Sequence, residues 1–167
     1  MTDKTGTEED ITNINAKSGK FLLQKVYVKD ISFEAPKSPE IFMEPWAPKV
    51  DMHLSNEARK INEDLTEAVL RVTITVKINE KTAYLVEIHM AGIFLIKDFP
   101  PEVMDHVTAT LCPNMLFPFA RELVCDLAMR GGFPQLLLAP VNFEALYAQQ
   151  KQAAAQAGKP DEKSKTH

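Results

Sequence analysis

The chain has 167 residues, 45% of them hydrophobic and 25% charged, with a net charge of −4 and a sequence pI near 5.6. That is enough for one domain with a real core plus tails, and the negative sign removes any electrostatic drive for non-specific nucleic-acid binding. All of the −4 sits in residues 20–147, the two ends offsetting each other; such a body suits a basic protein partner, the plainer role being solubility.

Residues 1–19 are polar, acidic and without periodicity, which predicts a disordered leader. From 21 to 35 the stretch FLLQKVYVKDISFEA alternates. Phe21, Leu23, Tyr27, Ile31 and Phe33 fall on one face of a long strand, and Val26, Val28, Asp30 and Glu34 on the other. Residues 36–48 hold four of the eleven prolines, together with Ile41, Phe42, Met43 and the only tryptophan, Trp46. Proline removes amide donors and fixes φ, so this is neither helix nor central strand. A stiff loop with four large hydrophobes either packs down as a lid or presents them to a ligand.

Residues 50–54 form a short alternating run. LTEAVLRVTITVKI then gives a clear strand, with Ala68, Leu70, Val72, Ile74 and Val76 on one side. A short turn at Asn79-Glu80-Lys81 predicts a hairpin into a strand where Tyr84, Val86, Ile88 and Met90 alternate with Leu85, Glu87 and His89. Both faces of that strand are partly apolar, so it lies within the sheet or under another subunit. Gly92 marks a bulge or a close approach. Pro100 and Pro101 suit the first turn of a helix over 102–111, with Asp98 as a cap. Pro113 and Pro118 are expected to break or kink it before an amphipathic helix over 116–128, whose apolar stripe is Leu116, Phe119, Ala120, Leu123, Val124, Leu127 and Ala128. Gly131 and Gly132 supply the positive φ of a C-cap, and Asn142 caps a last helix with Val141 and Leu146 as its staple. Residues 151–167 are expected to fray into a flexible tail.

Cys112 and Cys125, roughly 20 Å apart on a helix at ~1.5 Å per residue, are expected to be free thiols. With no signal peptide and no membrane span in the sequence, the expected compartment is a reducing cytoplasm. No phosphate loop, nucleophile elbow or metal-ligand spacing is present; His53, His89, His106 and His167 are scattered. The expectation is therefore no enzyme, no cofactor and no metal.

Four segments, YVKDISFEAP (27–36), GIFLI (92–96), CPNMLFPFARE (112–122) and GGFPQLLLAPVNFEALY (131–147), resemble in order and spacing the SecB family of bacterial export chaperones. The resemblance implies an α+β fold, a four-stranded antiparallel sheet with helices packed on one side, over residues 20–150. It implies assembly as a dimer of dimers, and ATP-independent binding of unfolded preproteins that are delivered to the SecA motor. By matching position, the client groove would use Ile41, Phe42, Trp46, Leu146 and Tyr147, with Tyr84 a weaker member. The SecA surface would use Asp30, Glu34, Leu85 and Glu87. Val86, Ile88 and Met90 would hold the two dimers together, burial under the chain's own helix being the alternative. The competing reading is a small-molecule-binding or enzymatic homotetramer with the 36–48 loop as a lid over His89 or His106.

Overall fold

A computed structural model describes residues 19–157 of the chain. The expected leader, apart from Gly19, and the tail from residue 158 lie outside the described residues. Strands β1 (Lys20–Glu34), β2 (Lys49–Lys60), β3 (Leu65–Ile78) and β4 (Lys81–Lys97) form one antiparallel sheet in the order β1-β4-β3-β2. Helices α1 (Pro101–Arg130) and α2 (Phe143–Ala157) follow. The last seven residues of α2 belong to the expected tail; their alanines and glutamines are strong helix formers.

β2, β3 and β4 form a meander. At its first turn the Asn62 side-chain oxygen accepts from the amides of Asp64 and Leu65 at 3.0 and 2.8 Å. At the second, Asn79 and Glu80 take φ of 48° and 63°, the paired left-handed values of a two-residue hairpin turn that follows the sheet's twist. β2 runs well beyond the predicted short strand because β3 offers a twelve-residue partner, from Lys49↔Lys77 to Lys60↔Thr66.

Side chains of β4 divide cleanly. Tyr84, Val86, Ile88, Met90, Phe94 and Ile96 face the helices and are buried, while Leu85, Glu87, His89, Ile93 and Leu95 face away. The subunit-interface role expected for Val86, Ile88 and Met90 is therefore corrected. All three are 0–3% exposed within one chain, in the same core as Leu116, Ala120 and Val124 of α1, so their surface is already spent.

β1 departs from simple alternation. Its register against β4 shifts between Leu23 and Lys25 and again between Val28 and Asp30. Each extra residue reverses which face the next side chains point to. Val26 and Val28 consequently pair with Gly92 and Met90 on the helix side, and Tyr27 pairs with Ala91 on the open side, the reverse of the predicted faces. Gly92 itself is not a bulge. A Cβ there would lie 2.8 Å from Phe94 and 2.9 Å from Leu116, so the glycine lets α1 approach the sheet.

α1 is one 30-residue helix, about 45 Å long at ~1.5 Å per residue, and runs through both Pro113 and Pro118. The expected break is overruled by packing: Val107, Thr110, Leu116, Phe117, Ala120, Val124 and Ala128 are buried along its length. Phe119, expected in that stripe, is instead exposed. Asp98 is not the cap; Pro100 takes that position with Pro101 at the first helical residue. At the other end only Gly132 has positive φ, 86°. The amides of Gly132 and Phe133 bond to the carbonyls of Met129 and Ala128 at 3.0 Å each, closing a Schellman motif. Gly131, at φ −72°, is required for another reason: a Cβ there would strike the Phe33 ring.

Candidate functional site

The Schellman motif delivers Phe133 to the centre of an aromatic cluster. Its ring centroid lies 4.7 Å from Tyr84, 5.1 Å from Phe42 and 5.9 Å from Trp46, and Tyr84 stacks on Phe33 at 5.7 Å. The proline-rich loop reaches the cluster by a 3-10 turn at Glu40–Met43 that buries Ile41. Glu44 anchors the loop to the β3–β4 hairpin, accepting from Lys81 at 2.8 Å and Asn79 at 3.2 Å; Lys81 first, then Asn79, hold its carboxyl below the usual range. Phe42 and Trp46 are left 43% and 40% exposed.

Ile41 and Tyr84, expected to line a groove, are instead buried in the core beside this cluster. Burial, with Cys125 a smaller cause, pushes the Tyr84 hydroxyl up to about 12, and it has no hydrogen-bond partner among the described residues. Leu146 and Tyr147 belong to a second cluster. Asn142 accepts from the Ala145 amide at 3.0 Å and so starts α2 where the sequence predicted. Tyr147 donates to Asp105 at 2.9 Å, Lys151 reaches the same carboxylate at 2.7 Å, and His106 meets Glu144 at 2.7 Å. Leu146 and Tyr147 line a crevice with Leu54, Leu70 and Ala109, beside an open cleft of about 430 Å³ walled by Asn56, Asp105 and Lys151.

Sequence reasoning missed what lies between the clusters. Val50, Met52 and Leu54 share the helix-facing side of the edge strand β2. Val50 stands in the row of Val76 and Tyr84, Leu54 at the α2 crevice, roughly 13 Å apart at ~3.3 Å per residue. Val50 is exposed and the other two half-buried. Their alternation was legible; only the fold shows that α1 leaves this edge partly uncovered.

The opposite face of the sheet gathers Asp30, Glu34, Leu85 and Glu87. Glu34 pairs across strands with Leu85, Ser32 with Glu87 and Asp30 with His89, all pointing away from the helices. His89 meets Glu87 at 2.7 Å. Further along this face Glu67 is 3% exposed and held by three partners: the Tyr27 hydroxyl donates to it, Lys29 lies at 3.0 Å and Arg59 at 2.6 Å. The Tyr27 bond above all, then Lys29 and Arg59, lowers the Glu67 carboxyl against the opposing effect of burial; Tyr27 itself is pushed up to about 12 by burial first and Glu67 second.

Among the described residues nothing resembles a lidded pocket over a histidine. His89 is on the far face from Ile41, and His106 pairs with α2 while the loop packs on Phe133, so the lid reading is corrected. Among the described residues no cluster of His, Cys, Asp and Glu could hold a metal, and Cys112 and Cys125 are free thiols, burial pushing Cys112 up to about 12. No described helix is long and apolar enough to cross a membrane.

A family model described as preprotein translocase subunit SecB matches residues 14–154. The protein-export protein SecB of Methylococcus capsulatus is 55% identical over 140 residues, covering 84% of this chain and 90% of that protein. Its counterpart from Nitrosococcus oceani is 50% identical over 149 residues, covering 88% and 91%, and that from Pseudomonas fluorescens 46% identical over 158, covering 95% and 97%. Among solved structures, a SecB-like chaperone of Mycobacterium tuberculosis in complex with an antitoxin peptide superposes with a TM-score of 0.58 at 16% identity, covering 72% of this chain and 90% of that one, a likeness of fold.

Proposed function

The chain belongs to the SecB family of protein-export chaperones, which are not enzymes, and from that premise we propose that it binds unfolded preproteins without ATP and hands them to the SecA motor. One observation carries the client-binding half. A row of apolar side chains, Phe42, Trp46, Val50, Met52, Leu54 and Leu146, is left partly uncovered along the edge of the helix-side layer. Burying a side chain of this kind gains ~1.5–3 kcal/mol and asks for no particular sequence, so a few of them hold any exposed apolar segment and ignore a folded protein that has buried its own. Ile41 and Tyr84 act from beneath, by setting where Phe42 and Phe133 stand. Asp30, Glu34, Leu85 and Glu87 form the acidic SecA surface on the far face.

Residues 20–150 are the chaperone domain, and α2 prolongs it to Ala157. Its assembly is a homotetramer, a dimer of dimers, in the cytoplasm. Val28 and Ile31 on the edge strand β1, with Phe119 and Met129 on α1, are apolar side chains that one chain leaves exposed, which supports assembly. Repeating the groove in each subunit raises avidity through effective concentration. The test is Trp46 fluorescence: a reduced, unfolded polypeptide is expected to shift it and the same polypeptide in its folded form to leave it alone. Equal responses to the two forms overturn the proposal.

A further inference from the structure

His89 occupies the middle of the open face. Glu87 precedes it by two residues on β4, with Nε2 to Oε1 at 2.7 Å. Asp30 stands directly across on β1 and Arg71 directly across on β3. Beyond β3, on β2, His53 pairs with Asp51 at 3.0 Å, and Arg71 leans toward Glu57 at 4.0 Å. The two histidine–carboxylate pairs differ in setting: the His89 side chain is 17% exposed and that of His53 is 77%.

We propose that His89 is a positioning residue for Glu87 and sets how strongly the open face holds a basic partner segment. The inference rests on the reading of that face as a docking surface. An Nε2–H donated from the His89 imidazole fixes the Glu87 carboxylate beside Leu85, so its charge is held where a Lys- and Arg-bearing segment meets it together with Asp30. Arg71 faces His89 from β3 but leans toward Glu57, and Lys29 of β1 is engaged by Glu67. The more exposed Asp51–His53 pair, screened by solvent, does not share this role.

The test is a titration of SecA against the full chain at one low ionic strength, for wild type, His89→Gln, His89→Leu and His53→Gln. His89→Leu, which leaves Glu87 without its donor, is expected to bind roughly two- to five-fold more weakly than wild type. His89→Gln, whose amide keeps a donor for Glu87, is expected to match wild type, and so is His53→Gln. A His89→Leu protein that binds as tightly as wild type, or a His89→Gln protein as weak as His89→Leu, overturns the inference while leaving the docking surface standing. Absence of SecA binding to wild type overturns the docking reading and the inference with it.

Discussion

Glu67 is held by three strands at once. It projects from β3 and is gripped by Tyr27 and Lys29 from β1 and by Arg59 from β2. The position was legible as open-face from the alternation of LTEAVLRV, but its partners were not, because Lys29 lies at the second β1 bulge and alternation alone cannot place it. Glu67→Gln keeps an acceptor for Tyr27 but leaves the Lys29 and Arg59 charges without a counter-ion. The expected cost is about 1–2 kcal/mol in urea unfolding at neutral pH, since both cations remain partly solvated. The folded-state carboxyl is depressed, so its contribution is present above the unfolded carboxylate value near ~4.3 and is lost as pH falls through the folded one. The gap between wild type and variant should therefore close on acidification below about pH 4. A gap that stays constant down to pH 3 would show that Glu67 acts by shape rather than charge.

At the scale of the element, the helices and strands were read correctly wherever local pattern and tertiary packing agree. Asn142 caps α2 where the sequence placed it, its side-chain oxygen accepting from the Ala145 amide. α1 is where they disagree. Two prolines argue for a break by local rules, yet a stripe buried from Val107 to Ala128 holds the helix through both. Phe119 was misplaced for the same reason: a stripe inferred for a helix starting at residue 116 is too wide once the longer helix sets its own contact line. Pro118 is exposed, so replacing it removes no core volume. Pro118→Ala restores the amide that can bond the Asn114 carbonyl and relieves the ring's clash there. It is expected to raise stability by about 1–3 kcal/mol, visible as a higher melting temperature at fixed protein concentration. A lower melting temperature would mean that the ring itself packs against something the exposed position does not reveal.

Across the whole molecule the sheet separates two surfaces. The apolar row and its aromatic cluster lie on the helix side; Asp30, Glu34, Leu85 and Glu87 lie on the other. Which strand face the helices cover is a property of the assembled layers. That is why the alternation of Val86, Ile88 and Met90 was visible in the sequence while their role, core rather than subunit contact, was not. The same layering joins the Trp46 loop to the last helix through Val50, Met52 and Leu54, a link between segments about 100 residues apart that no local pattern carries. Two opposed surfaces on one rigid sheet have a testable consequence. If client and SecA use different faces, neither needs to leave before the other arrives, and damage to one face should spare the other. Glu87→Lys is expected to weaken SecA binding roughly ten-fold, a basic partner now meeting a like charge, while a Trp46 fluorescence titration with an unfolded client stays at the wild-type midpoint. Trp46→Ser is expected to weaken client capture, followed by light scattering of an aggregating polypeptide, with SecA affinity unchanged. Wild type with both ligands should sediment as one ternary complex. If saturating client instead displaces SecA, the sheet does not insulate its two faces, and the separation seen in one chain does not survive in the assembly.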